Sequence, residues 1–256
     1  MIGRLTFVLA LLIAATFKPA SADPVADPAA DCRSAETHIE HTFPLPKVAK
    51  AIANKNLSIL VVGAGSSLLP GTEGAKKAYP TRLQDALQQK LPGVDVKVAT
   101  DVKPRRTAKD MMKAMAAAIT ASKPSLVVWQ TGTVDAMQGI EPDQFSQALD
   151  KGIGVARGGG ADVIFMNPQY SPRTESMIAL GTYAENMRWV ALQQDVPLFD
   201  RFSIMKLWAD NGTFDLNSAT KKLDMAERVH DCIGRLMADL VLESAKIGVP
   251  QNDPGR

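Results

Sequence analysis

The sequence predicts an α/β protein built on a doubly wound parallel sheet of about five strands. Three observations carry that reading. Short apolar runs at 59–62, 125–130, 163–166 and 196–199, the first strongly β-branched, have the composition of strands buried on both faces. Between them lie longer stretches whose apolar residues recur at helical spacing. Strand and helix alternate without an internal repeat, the pattern of parallel strands joined by crossover helices.

The first residues stand apart from that pattern. Arg4 supplies a positive start, residues 5–17 an apolar run, and Ala20-Ser21-Ala22 a small-residue cleavage site before Asp23. At about 13 residues the run is short against the roughly 20 of a membrane-spanning helix. A cleaved secretory signal over 1–22 is expected, and a periplasmic or secreted mature chain with no membrane anchor. Residues 23–56 form an N-terminal arm, with a mobile Asp-Pro-Ala lead-in over 23–30. It is expected to be extended through Phe43-Pro44-Leu45-Pro46 and laid against the domain. The domain proper is assigned to 57–247, with a tail over 248–256.

Within the domain, the first strand stops on Gly63-Ala64-Gly65, which permit a tight turn. Ser66 and Ser67 follow, just beyond a strand end, where open α/β sheets place their ligands. Residues 68–79 read as a polar loop, and Pro80 suits the first turn of a helix carrying Leu83, Ala86, Leu87 and Leu91. Val94, Val96 and Val98 alternate with Asp95 and Lys97, as in a strand near an edge. A helix over 107–122 presents Met111, Met115 and Ile119 as a packing stripe. Thr131-Gly132-Thr133 turns out of the third strand. Pro142 opens a helix that stops at Gly158-Gly159-Gly160; a phosphate cradle would instead follow a strand. The fourth strand leaves through Asn167-Pro168-Gln169-Tyr170. Helices over 176–195, 203–209 and 225–247 complete the chain.

Composition narrows the function. The full sequence has 29 Lys and Arg against 27 Asp and Glu. Residues 1–22 hold Arg4 and Lys18 and no acid, so the mature balance is 27 against 27. A neutral chain argues against a general nucleic-acid binder, which relies on many phosphate contacts. Cys32 and Cys232 are the two cysteines. In an oxidising compartment a disulfide tying the arm to the last helix is expected; two unpaired thiols are the alternative.

From about residue 57 to 245 the chain resembles the SGNH (GDSL) hydrolase family, in particular its exported bacterial esterase-like branch. Gly65-Ser66-Ser67-Leu68-Leu69-Pro70-Gly71 is similar to the family's first block, with Ser67 at the nucleophile position. Tyr79-Pro80-Thr81-Arg82-Leu83, Val127-Val128-Trp129-Gln130-Thr131-Gly132-Thr133, Asn167-Pro168-Gln169-Tyr170 and Cys232-Ile233-Gly234-Arg235-Leu236 resemble later segments in matching order. The resemblance implies a flavodoxin-like three-layer sandwich. It also implies serine attack on an acyl ester, assisted by a histidine–aspartate relay and an oxyanion hole.

Carried over by position, most of that machinery is replaced. Arg105 stands at a glycine position, where a backbone N–H survives but the glycine's permissive conformation is expected to be lost. In Gly132-Thr133-Val134-Asp135, Val134 stands at the position of an oxyanion-hole asparagine, and valine donates no hydrogen bond. Lys221 stands at the aspartate position and Asp224 at the histidine position. Asp224 lacks imidazole's ability to accept on one side while donating on the other. His230, with Glu227 and Asp231 close by, is a candidate substitute base; a helix-surface or partly buried histidine is the plainer alternative.

Two functions follow: an impaired or inactive descendant that binds a ligand, or an active serine esterase using Ser67 with His230 or Asp224. For the first, Lys103, Arg105, Arg106 and Lys221 would make a cationic mouth; a solvated basic loop is the alternative. The expected ligand is a small molecule, glycan or acyl ester, and the residues name no protein partner. No metal is expected, since His38, Glu40 and His41 lack a third strong ligand. No cofactor is expected either: Gly63-Ala64-Gly65 lacks the last glycine of a dinucleotide fingerprint, and Pro70-Gly71 interrupts the helix that should follow.

Overall fold

The structure, a computed structural model, describes Cys32, residues 43–217 and residues 223–246. The expected signal, lead-in and tail, together with His38, Glu40, His41 and Lys221, lie outside the described residues.

Five parallel strands form one sheet in the order β2-β1-β3-β4-β5. They are β1 (Asn56–Gly63), β2 (Asp95–Val102), β3 (Leu126–Gln130), β4 (Asp162–Met166) and β5 (Leu198–Phe199). This order reverses direction between β1 and β3, and at such a switch point the connections diverge and open a crevice at the strands' carboxyl ends. The segments after Gly63 and after Gln130 therefore flank that crevice.

The helices begin where the local chemistry starts them. Helix α1 (Pro46–Ala53) carries proline in its first turn and buries Val48 and Ala51 on one face. It falls inside the arm, where sequence reading had placed no helix. Short α2 (Gly74–Lys77) interrupts the 68–79 loop, and α3 (Tyr79–Lys90) follows with Pro80 at its start. In α4 (Ala108–Ser122), Thr107 accepts from Asp110 N–H while Asp110 accepts from Thr107 N–H, a reciprocal cap. Beyond β3 come α5 (Thr133–Met137), a single turn that the sequence pattern did not signal, and α6 (Pro142–Gly158). After β4 come α7 (Pro172–Glu175) and α8 (Leu180–Gln193), then α9 (Arg201–Asp210) after β5 and α10 (Leu223–Lys246).

Alternation along β1 divides the core. Leu57, Ile59 and Val61 face a cluster with Leu83 and Leu87 of α3 and with Ile233, Leu236 and Met237 of α10. Leu60 and Val62 face the opposite cluster, where Met111, Met115 and Ile119 are buried as expected. Every strand but the edge β2 is buried over most of its length, which accounts for the continuous apolar runs. Cys32 and Cys232 form a disulfide, fastening the chain before α1 to the middle of α10.

Candidate functional site

Strand β1 ends at Gly63, and a 3₁₀ turn over Gly65–Ser67 carries the chain across the end of the sheet. Ser67 N–H donates to the Ala64 carbonyl at 2.9 Å, which closes the turn. The turn folds the Ser67 side chain inward. A Cβ on Gly63 would collide with the Ser67 hydroxyl, so glycine at the strand end is what lets that serine tuck beneath it.

Ser67 is 0% exposed. Its hydroxyl donates to Gln130 Oε1 and lies 3.3 Å from the Tyr79 hydroxyl. Gln130, the last residue of β3, is itself buried, and its Nε2 donates to Ser66 Oγ at 2.7 Å. The expected nucleophile is therefore not presented to the crevice. The open position on this turn is Gly65, which is exposed and has no atom within 4 Å of where a Cβ would stand. Ser66 is half-buried.

The candidate bases stay away from that hydroxyl. His230 sits on the inner face of α10, 8% exposed, and its Nδ1 accepts the Tyr79 backbone N–H at 3.0 Å. Burial, with a smaller contribution from the nearby Arg201 charge, lowers its pKa to about 4. The plainer expectation of a surface or partly buried histidine understated its burial. Glu227 pairs with Lys77 and Asp231 with Arg82 and Arg235, so neither carboxylate orients the imidazole. Asp224 lies exposed in the first turn of α10. Tyr79, fully buried beside Ser67, is no base either: desolvation pushes its phenol up to about 12, partly opposed by the Ser67 hydrogen bond and Arg201.

The loop after β2 corrects one expectation. Arg105 adopts φ +62°, so this loop has the left-handed conformation although its residue is arginine. Lys103 N–H donates to the Gly63 carbonyl at 3.2 Å, holding this loop over the end of β1. Lys103 and Arg105 are exposed there. Arg106 is not part of a free cationic mouth. Its guanidinium pairs with Asp101 at 2.8 Å and reaches the Gly63 and Asp101 carbonyls.

Across the crevice, Gly132 has φ +98° and precedes α5, and a Cβ there would press on Pro168 at 2.9 Å. Val134 is half-buried against the second core cluster and offers no donor. Asp135, which sequence reading did not single out, is buried and accepts from Ala108 N–H with both oxygens, at 3.0 and 3.1 Å. Burial raises its pKa, opposed by hydrogen bonds from the Ala108, Asp135 and Gly132 backbone and from Thr131. It staples the turn after β3 to the start of α4. Beside it a cleft of about 400 Å³ opens between α4 and α6, lined by Thr107, Lys109, Met112, Ile140 and Phe145 as well as Asp135.

Gln130 and Tyr79 are partners of the turn that sequence reading missed, and it also missed Arg201, a buried charge that acts on Tyr79. Tyr79 and Gln130 lay within the matched segments; Arg201 carried no signal beyond its place after a strand.

A switch-point crevice at the ends of β1 and β3, with a serine-bearing turn on one side and a glycine turn on the other, defines the SGNH/GDSL hydrolase type. The chain belongs to the Non-GDSL lipase-like family, which it matches over residues 31–247. Among solved structures it is similar to TesA, with 22% identity, a TM-score of 0.52, and 74% of this chain covered against 98% of that one. It is also similar to the psychrotrophic esterase EstA from Pseudoalteromonas sp., at 16% identity and a TM-score of 0.56, covering 73% and 97% of the two chains. A catalytic mutant of an acetylxylan esterase from Geobacillus stearothermophilus gives 14% identity and a TM-score of 0.58, covering 72% and 94%. At these identities the likeness concerns the fold. A search of curated proteins gave no match.

Proposed function

We propose that this chain keeps the SGNH/GDSL fold as a binding scaffold and does not hydrolyse esters through Ser67. One observation carries the reading: the Ser67 hydroxyl is buried and held by Gln130 and Tyr79, with no basic group hydrogen-bonded to it among the described residues. A serine needs an adjacent base to be an effective nucleophile. Neutral glutamine and a phenol with a raised pKa do not supply one. Gly65, the open position on the turn, has no side chain to react.

The ligand is proposed to be a small molecule, glycan or acyl ester taken at the carboxyl ends of β1 and β3. Exposed Lys103 and Arg105 on the adjoining loop favour one that carries negative charge. Export to the periplasm or cell exterior is part of the same proposal, supported by the Cys32–Cys232 disulfide, which persists in oxidising compartments.

The test is fluorophosphonate labelling of the mature protein read by intact mass, with Ser67→Ala and Ser66→Ala alongside. A known serine esterase is labelled in parallel. No adduct on the wild type over hours is expected. A stoichiometric adduct lost in either alanine variant means that a serine of the turn is activated, and the binding-only reading falls.

A further inference from the structure

At the amino ends of the strands, opposite the crevice, a cleft of about 610 Å³ opens under the sheet. Asn56 begins β1, Ser125 precedes β3 and Gly160 precedes β4, and all three line it. Its walls are α1 and the ends of α4 and α6. Asp162, the first residue of β4, accepts the Lys47 and Val48 N–H groups at 2.7 and 3.0 Å. Those bonds fix the start of α1 against the sheet, so this wall is held in place without a ligand.

The cleft gathers positive charge. Lys47, Lys50 and Lys123 line it, all exposed, and among the described residues no acid does. Lys50 and Lys123 form no ion pair among the described residues. Asp162 is acted on by Arg157 as well as by Lys47, so Arg157 offsets its charge. Helices α1, α4 and α6 all end here, and each carbonyl end carries about half a negative charge. Three ammonium groups against three such ends leave a net charge of about +1.5. Compensation of the helix ends therefore does not use up the lysines. Lys123 also stands at the left-handed stop of α4, φ +45°, where glycine or asparagine is the ordinary choice.

We propose that this cleft binds a small polar dianion, a phosphate monoester or a dicarboxylate. A surplus of between one and two positive charges matches one doubly charged ligand. The volume falls within the roughly 300–1,000 Å³ usual for small-molecule sites, so the ligand carries a polar body beside its anionic groups. The ammonium groups hold the anionic oxygens, and Asn54, Asn56 and Ser125 supply amide and hydroxyl partners for the rest. The site lies at the far end of the sheet and does not rest on how the crevice is used.

The experiment is calorimetric titration of the mature, disulfide-intact protein at low, fixed ionic strength. Glucose 6-phosphate and succinate are the probes, with glucose as the uncharged control. Saturable one-site binding of a dianion is expected, and none of glucose. Binding of the phosphate alone identifies a phosphate-ester site; binding of succinate alone identifies a dicarboxylate site. Lys50→Gln and Lys123→Gly should each weaken it about tenfold, the cost of one charged hydrogen bond. Lys123→Gly also relieves the left-handed position, so its loss of affinity is not a loss of folding. Lys97→Gln on edge strand β2 and Arg105→Gln at the crevice should bind as the wild type does. Absence of saturable binding by either dianion overturns the proposal, as does undiminished affinity in both cleft variants. Equal weakening by Lys97→Gln overturns it too, because the attraction is then general. If Arg105→Gln alone abolishes binding, the dianion sits in the crevice; the cleft proposal falls and the reading of the crevice stands.

Discussion

Acidification between about pH 6.5 and pH 4 should destabilise this protein through His230. The imidazole titrates near 6.5 in an unfolded chain but is held down at about 4 in the fold, by burial first and by Arg201 second. Above pH 6.5 both states carry the neutral ring, and the residue adds no pH dependence. Below 6.5 the unfolded chain takes up a proton that the native state refuses, so stability falls. The loss is complete near pH 4, where the native ring protonates too. The gap, 6.5 − 4, corresponds to about 3 kcal/mol, a large share of the 5–15 kcal/mol typical of a native domain. Asp135 and Asp162 act in the opposite sense. Burial raises both, so falling pH protonates them first in the native state and relieves a penalty. The contribution of His230 is therefore read as a difference between wild type and His230→Gln. Glutamine keeps an oxygen to accept the Tyr79 N–H but does not titrate. Urea midpoints from about pH 7 to about pH 4 should show the wild type losing about 3 kcal/mol more than the variant, chiefly below pH 6. Parallel pH profiles would refute the reasoning.

Two further outcomes test how the layers are joined. Gly234 lies where α10 crosses α3, and a Cβ there would stand 2.9 Å from the Arg82 carbonyl carbon and the Leu83 nitrogen. Gly234→Ala should destabilise by about 1–3 kcal/mol in chemical denaturation, whereas Gly154→Ala, on an open face of α6, should gain about 0.5–1 kcal/mol from helix propensity. Equal effects at the two positions would contradict the close α3–α10 approach. The disulfide closes a sequence separation of 200 residues. Replacing both Cys32 and Cys232 with serine should lower unfolding free energy by about 2–5 kcal/mol, chiefly by freeing the unfolded chain. A denaturant midpoint unchanged from the wild type would remove that role.

The sheet was legible because parallel strands buried on both faces leave apolar runs that few other elements produce. Capped or proline-opened helices of useful length, such as α4 and α6, declared themselves in the same way. Short elements did not. Helix α5 spans Thr133–Met137 and α2 spans Gly74–Lys77, too few residues to establish a helical period. Helix α1 was hidden by its prolines, which read as an extended arm although Pro46 in fact starts the helix. At the site, block spacing pointed to the turn after β1 but not to the direction of its side chains. Over a 3₁₀ turn, successive residues diverge widely, so a shift of one or two positions separates an open side chain from a buried one. Arg201 was illegible for another reason: the groups it influences, Tyr79 and His230, come from α3 and α10, far away in sequence.

At this crevice the backbone geometry and the side-chain chemistry point different ways. Gly132 has a positive φ, and the loop after β2 has a left-handed residue although that residue is Arg105. A left-handed conformation costs an ordinary side chain about 1–2 kcal/mol relative to glycine. The loop therefore holds its shape against the preference of its own residue, through the Lys103–Gly63 hydrogen bond and the Arg106–Asp101 pair. The side chains are less suited to acyl transfer: the Ser67 hydroxyl is buried against Gln130, Val134 carries no donor, and His230 Nδ1 accepts the Tyr79 N–H. A strained, exposed arginine at the mouth therefore supports the proposal that this crevice binds a ligand carrying negative charge.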